Sequence, residues 1–275
     1  IPFIDWFIIG FPVSMVLIPV IWFFMTKILF RVSNKNSSAL EKTITNMNKT
    51  IGKASFKEKV VAFIFLLTAF FWIFREFIND LIGINLNDTS IGLLGALMLF
   101  IIPVNENERA CDWKTANKIP WGVLLVVGGG IALSKAFKSS GLADWVGSFS
   151  SLFYGVELYL LILFFVFLII FLTELNSNTA TVATFAPILI VFALGLETNP
   201  LYFVIPTTIA SSCAFMLPIA TPPNAVIFGS EKISIIDMIR PGFFLNIISV
   251  VVVTSLCFLI LNLILQIDIN TIPEW

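Results

Sequence analysis

Long apolar runs dominate the chain and predict membrane-spanning helices. A helix that crosses a bilayer needs about 20 mostly apolar residues, within a range of about 17–25. Runs of roughly this length occur at about 3–30, 60–82, 89–104, 120–137 and 241–266. The pattern therefore predicts an all-α polytopic membrane protein with a single membrane domain over 1–275.

Two further apolar stretches are interrupted near their centres. The stretch 157–195 has a polar centre at 173–179, and it is shorter than the more than about 40 residues that two full spans and a turn require. We therefore predict a re-entrant helical hairpin with its polar tip at mid-membrane. The stretch 201–229 contains tandem prolines, which cannot continue a helix. We predict a discontinuous helix there, 201–217 followed by 223–229.

Composition excludes several classes of protein. The chain has 275 residues, of which 58% are hydrophobic and 12% charged, whereas a soluble domain carries about 25% charged residues. It contains no His, and its cysteines lie far apart. Zinc and haem sites therefore lack their usual ligands, and catalysis by an imidazole base lacks its side chain. With neither a nucleophile–base pair nor a metal cluster, we expect no enzyme. We also expect no nucleic-acid partner.

Charge along the chain predicts the orientation in the membrane. Most Lys and Arg residues fall in 27–59, 105–119 and 230–240. Basic loops face the cytoplasm, so we place these three segments inside and the acidic C-terminus outside, in the plasma membrane. The segment 27–59 also fits a solvated linker. With these loops inside, 157–195 must cross the membrane twice or not at all, which favours the hairpin.

The two interruptions place helix ends at mid-depth in the membrane. The half-helices that start after Asn178 and Thr221 should present free N–H groups and a positive dipole end to an anion. Those that end near Thr173 and Ala220 should present carbonyls to a cation. The intervening hydroxyls and amides are hard oxygen ligands, which suit Na⁺ better than a transition metal. Glu174 is the one candidate for proton coupling, and the sequence leaves its role open.

The motifs at these interruptions resemble a known family. The segment Thr173–Thr179 reads TELNSNT and resembles the second Ser-Asn-Thr motif of the divalent anion:sodium symporters. The segment Ser211–Val226 reads SSCAFMLPIATPPNAV and resembles that family's signature. The resemblance covers essentially the whole chain but only the C-terminal half of the family. It implies one half of an inverted-repeat elevator transporter that works as a homodimer, with the N-terminal half missing here.

The resemblance also implies the ligands of both transported species. One Na⁺ site would be formed by Thr173, Ser177, Asn178 and the carbonyl of Ala220. The substrate carboxylates would be bound by Asn178, Thr179, Thr221 and Pro222. Na⁺ would be the coupling ion, and no other cofactor is implied.

The implied function is sodium-coupled symport of divalent organic anions, such as succinate-type dicarboxylates or citrate, by an elevator mechanism. The helices at about 60–137 would belong to a static dimer scaffold. The moving transport part would comprise 3–30, 157–195, 201–229 and 241–266. Two alternatives stay open: a sodium-coupled sulfate symporter, and a truncated fragment that dimerises but does not transport.

Overall fold

The computed structural model describes most of the chain as α-helix and divides it into two compact units. It describes residues 2–30, 45, 53–83, 85–105, 108–119, 121–141, 145, 148–229 and 233–272. The first unit comprises Ile1–Ile8 and Arg31–Pro120, and the second comprises Ile9–Phe30 and Trp121–Trp275. The predicted all-α class is confirmed. Most of the basic segment 27–59 lies outside the described residues.

The first unit consists of short helices and one small antiparallel β-hairpin. Its elements are the start of α1 (Phe3–Phe23), α2 (Phe56–Ile73), α3 (Arg75–Ile82), α4 (Asp88–Ile101), β1 (Pro103–Asn105), β2 (Glu108–Arg109) and α5 (Trp113–Ala116). α2 packs on α4, where the Thr68 side chain lies against Gly95. The predicted span 89–104 is too long, because the helix ends at Ile101 and the proline at 103 begins a strand.

The predicted span 60–82 is not one straight helix, because two helices replace it; that the bent pair crosses the membrane as one span stays a prediction. α2 and α3 meet at an angle of 74° around Phe74. Polar groups of α3 are turned toward the following loop: the Asn79 side chain bonds both the N–H and the carbonyl of Leu86, at 2.9 and 3.0 Å. Satisfying these polar groups gives α3 a different direction from α2.

One ion pair stabilises the bend between α2 and α3. Arg75 Nη1 lies 2.9 Å from Asp88 Oδ1, and the Phe3 N–H donates to Asp88 Oδ2 at 3.2 Å. We expect Asp88→Ala to lower the unfolding free energy by about 1–2 kcal/mol, because both donors lose their acceptor. Thermal unfolding of the complete protein in detergent measures this change.

The matched control for that substitution is Glu76→Ala. The Glu76 side chain is 68% exposed, and its contact with Arg75 is 3.4 Å long, so its loss should change the unfolding midpoint little. A second substitution, Arg75→Ala, should add little to Asp88→Ala. Equal effects of Glu76→Ala and Asp88→Ala would contradict the proposed role of the ion pair.

The second unit holds the remainder of α1, which continues as a π-helical turn over Phe24–Leu29. Its other helices are α6 (Gly122–Ser139), α7 (Leu158–Thr173), α8 (Asn178–Gly195), α9 (Leu201–Ala210), α10 (Pro222–Gly229) and α11 (Ile235–Leu259), the last followed by a π-helical turn over Ile260–Ile264. α11 starts earlier than the predicted 241, since the side chains of Ser234 and Asp237 form a capping box at its first turn.

The core of the second unit forms where α7, α9 and α11 pack together and α8 covers α9. The rings of Phe165, Phe192 and Phe203 contact one another edge to face, with centroids 5.0–5.8 Å apart. Deep packing of these apolar side chains places both arms of the hairpin against α9. α6 packs on α8 and belongs to this second unit. The sequence had placed the residues of α6 up to 137 in the scaffold group with the helices of the first unit. The division into scaffold and transport parts stays a prediction.

Helix length limits which elements can cross a bilayer. Among the described residues, three helices are long and apolar enough, or four if α2 and α3 form one span: Phe3–Leu29, Asn178–Gly195 and Ile235–Ile264. α7 has 16 residues and α8 has 18, which correspond to about 24 and 27 Å at 1.5 Å per residue. The length of α7 falls below the range of about 17–25 residues that a span needs, whereas the length of α8 lies within it.

Candidate ion and anion site

A short polar turn joins α7 to α8, as the sequence predicts for 157–195. α7 ends at Thr173 and α8 begins at Asn178, with Ser177 as its N-cap residue. The Ser177 carbonyl accepts the Thr181 N–H at 2.9 Å, but its side chain makes no capping hydrogen bond. The Ser177 hydroxyl and the first N–H groups of α8 therefore remain available to a ligand.

Three oxygen atoms from three parts of the chain meet at the end of α7. Thr173 Oγ1 lies 2.8 Å from Asn178 Oδ1 and 2.9 Å from the main-chain carbonyl oxygen of Ser211. Thr173 is fully buried and Ser211 is 2% exposed. A hydroxyl, an amide oxygen and a carbonyl are the neutral hard donors that an alkali cation prefers.

The interrupted stretch differs from its prediction over 211–221. The first half-helix, α9, ends at Ala210 and not at 217, and Ala220 lies in a turn instead of at a helix end. Between them the backbone is irregular, with a bend at Met216, and we call the non-helical residues Cys213–Leu217 the extended segment. α10 starts at Pro222, close to the predicted start of the second half-helix.

Side chains supply the hydrogen bonds that the extended segment lacks. The N–H of Phe215 donates to Asn246 Oδ1 at 3.3 Å. Asn224 Nδ2 donates to the carbonyls of Ala214 and Leu217, at 3.0 and 3.1 Å. Because these partners replace a helical ladder, the segment stays extended without leaving these groups unpaired.

Glu174 provides the remaining partners. Its carboxylate accepts from the N–H groups of Met216 and Leu217, both at 2.9 Å, and from Asn246 Nδ2 at 2.7 Å. Glu174 is only 3% exposed and Asn246 is fully buried. The residue whose role the sequence left open thus ties the hairpin turn to the extended segment.

The two helix N-termini differ, and the prediction that both present free N–H groups is wrong for α10. α10 opens with Pro222 and Pro223, which have no N–H group. The next N–H, that of Asn224, points to Thr221 Oγ1 at 3.4 Å, and that of Ala225 donates to the Thr221 carbonyl. α10 offers an anion its dipole, whereas α8 offers both dipole and hydrogen-bond donors.

The structure brings some of the predicted site residues together directly. Thr173 and Asn178 are hydrogen-bonded, and Ala220 is buried one turn after Leu217, whose carbonyl accepts its N–H at 3.2 Å. Ser177 and Thr179 are exposed at the start of α8, and Pro222 is exposed at the start of α10, next to the half-buried Thr221. Among the described residues, no hydrogen bond joins Thr179 to Thr221 or Pro222.

Two participants escaped the sequence analysis. The Ser211 carbonyl carries no signal of its own, because any residue at that point of the chain would supply it. Asn246 did carry one, since it is an amide inside a long apolar helix, and a buried amide requires hydrogen-bond partners.

Comparison with known proteins assigns the chain to a family. A family model described as the sodium:sulfate symporter transmembrane region matches residues 1–265. Proteins named sodium-dependent dicarboxylate transporter SdcS, from Staphylococcus saprophyticus and Staphylococcus aureus strain MRSA252, are each 38% identical to it over 275 residues.

These alignments cover 98% of this chain and 53% of each relative, so the chain spans about half the length of the curated relatives it matches. The match extends through both interrupted stretches and agrees with the resemblance seen in their motifs. The chain belongs to the family of integral membrane proteins described by the sodium:sulfate symporter transmembrane region.

Proposed function

We propose that this chain is the C-terminal half of a sodium-coupled symporter for divalent organic anions, and not an enzyme. The observation that carries the proposal is the group of oxygens from Thr173, Asn178 and Ser211 beside the uncapped start of α8. A cation held by those oxygens would sit next to the N–H groups that an anion needs. This adjacency makes the binding of each ion favour the other.

The proposed ligands follow the sequence prediction, with one addition. Na⁺ is bound by Thr173, Ser177, Asn178 and the Ala220 carbonyl, and the Ser211 carbonyl joins them. The substrate carboxylates are bound by Asn178, Thr179, Thr221 and Pro222. Because α10 lacks free N–H groups in its first turn, Thr221 contributes through its hydroxyl and Pro222 through contact.

We also propose how the chain is arranged in the membrane. α7 and α8 form a re-entrant hairpin, supported by the polar turn that joins them and by the 16 residues of α7, which correspond to about 24 Å. The basic loops face the cytoplasm and the C-terminus faces outside, in the plasma membrane. The complete protein is an elevator-type homodimer, to which this chain contributes one half.

The test is uptake by the complete protein reconstituted in liposomes. Labelled succinate should accumulate when an inward Na⁺ gradient is imposed and should fail to accumulate with K⁺ in its place. Uptake that is equal in the two salts would overturn sodium coupling.

A sulfate symporter is the second candidate, favoured by the description of the matching family model. The names of the 38% identical relatives favour a dicarboxylate. Competition separates the two: unlabelled succinate in excess should block labelled succinate uptake, and sulfate at the same concentration should not.

The remaining alternative is a fragment that dimerises without transporting. Reconstituting this chain alone beside the complete protein tests it. Uptake by the complete protein but not by the chain alone is the result we expect from a site that needs both halves.

A further inference from the structure

The extended segment is held in place by side chains from the hairpin turn and from two helices. Glu174 follows α7, Asn224 lies on α10, and Asn246 lies on α11. Two of these contacts are long-range, since Glu174 is separated from Met216 by 42 positions and Asn246 from Phe215 by 31, whereas Asn224 lies 10 and 7 positions from Ala214 and Leu217. The conformation of the segment therefore depends on tertiary contacts.

Leu217 connects this arrangement to the proposed Na⁺ site. Its N–H donates to Glu174 Oε2, and its carbonyl accepts from the Ala220 N–H at 3.2 Å. Ala220 is a proposed Na⁺ ligand, so moving Leu217 moves that carbonyl. The Glu174 carboxylate thereby fixes one wall of the ion site.

Glu174 is also adjacent to the opposite wall. It follows Thr173, whose hydroxyl contacts Asn178 and the Ser211 carbonyl. A single buried carboxylate is thus attached by sequence to the hairpin ligands and by hydrogen bonds to the interrupted stretch. Asn246 holds that carboxylate from the side of α11 at 2.7 Å.

Resting on the proposed function, we propose that Glu174 and Asn246 form a positioning pair that sets the affinity for Na⁺ and, through it, for the anion. Neither residue needs to touch either ion. They hold the extended segment and the hairpin turn in one fixed relation, so that ligands from both are already in place when Na⁺ arrives. Preorganised ligands bind an ion more tightly than ligands that must first be ordered.

The first test uses Glu174→Gln in the complete protein. Glutamine has the same shape but replaces one acceptor oxygen by an NH₂ group, which would face the Leu217 N–H or the donors from Met216 and Asn246. We expect the half-saturating Na⁺ concentration to rise roughly tenfold, with a parallel rise in the KM for succinate. The maximal rate per folded transporter, at saturating Na⁺ and succinate, should stay within about threefold.

Asn246→Leu should produce the same change from the other helix. Leucine fills the same space but can neither donate to Glu174 nor accept from Phe215. Two matched controls should leave both constants unchanged. Thr254→Val alters a fully buried hydroxyl on the same helix, which has no hydrogen-bond partner among the residues that the structure describes. Glu157→Gln alters an exposed glutamate at the other end of α7.

A second measurement reports the accessibility of the extended segment and does not depend on transport. Cys213 is 5% exposed and lies at its start. Alkylation of this native thiol, followed by mass spectrometry of its peptide, should be slow in the parent protein and faster in Glu174→Gln and Asn246→Leu. Added Na⁺ should slow the alkylation of Cys213 in the parent protein. In the two variants, the same slowing should require a higher Na⁺ concentration.

The outcomes separate the two proposals. If the parent protein shows no Na⁺-driven uptake, the proposed function fails, and the alkylation rates still decide whether the pair holds the segment. If the parent transports, but both variants keep its Na⁺ and succinate constants and lose only folded protein, the positioning role is overturned.

Discussion

We expect Asn178→Ala in the complete protein to abolish Na⁺-driven succinate uptake while leaving the protein folded. Asn178 starts α8, and its side-chain oxygen lies 2.8 Å from Thr173 Oγ1. Under the proposed function this amide contacts both Na⁺ and the substrate. Its removal therefore takes a ligand from each, and losses at two coupled sites multiply.

The measurement is labelled succinate uptake in proteoliposomes, normalised to the amount of protein that elutes as a single species in detergent. The rate should fall at least about a hundredfold, which corresponds to the loss of two interactions of about 1.5 kcal/mol each. Asn270→Ala, an exposed asparagine near the end of the described chain, is the control and should transport normally. Uptake at the parental rate by Asn178→Ala would contradict the assignment of this site.

The second large effect is expected at Gly242 on α11. A Cβ built there would lie 2.6 Å from the Cα of Met216 and would also overlap the carbonyl of Phe215. Both obstacles are backbone of the extended segment, which cannot turn aside as a side chain does. Gly242→Ala must therefore push the segment away from α11 and weaken its hydrogen bond to Asn246, one turn further along.

We expect Gly242→Ala to lower the unfolding midpoint of the complete protein by about 3–5 °C, as overpacking of about 3 kcal/mol implies. What remains folded should need more Na⁺ for half-maximal uptake. Gly10→Ala is the matched control: it lies in a helix with nothing within 4 Å of its Cβ position, and alanine there should be neutral or slightly stabilising. An unchanged midpoint for Gly242→Ala would show that the segment is not held as closely as described.

The hairpin could be predicted because its signal is local. Two apolar arms flank a run of polar residues, and the length of each arm decides how far it can reach. The start of α10 could be predicted in the same way, since proline suits the first position of a helix. Both features depend only on residues that are neighbours in sequence.

The early end of α9 could not be predicted in the same way. Residues 211–217 are mostly apolar and read as a continuation of the helix. The N–H groups of Phe215 and Met216 instead donate to Asn246 and Glu174, which lie more than thirty positions away in sequence. Only the tertiary structure brings those groups to the segment.

The bend at Phe74 was missed for a related reason. A hydropathy window averages over Arg75, Glu76 and Asn79 because the surrounding residues are apolar. The ion pair with Asp88 and the contacts with Leu86 give these polar groups partners. The polar residues inside this apolar run thus mark the point where the chain bends from α2 into α3.

The proline pair that opens α10 bears on selectivity between anions. Because Pro222 and Pro223 have no N–H group, the backbone of this helix end attracts by its field, which senses the charge of an anion but not its shape. Under the proposed function the Thr221 hydroxyl is the directional donor at this end. A planar carboxylate and a tetrahedral sulfate differ in the directions of their oxygens, which only directional donors can distinguish. Under the proposed function, substitutions meant to change which anion is preferred should therefore be made at 177–180, where α8 keeps its N–H donors, and at the Thr221 hydroxyl, before they are attempted at 222–223.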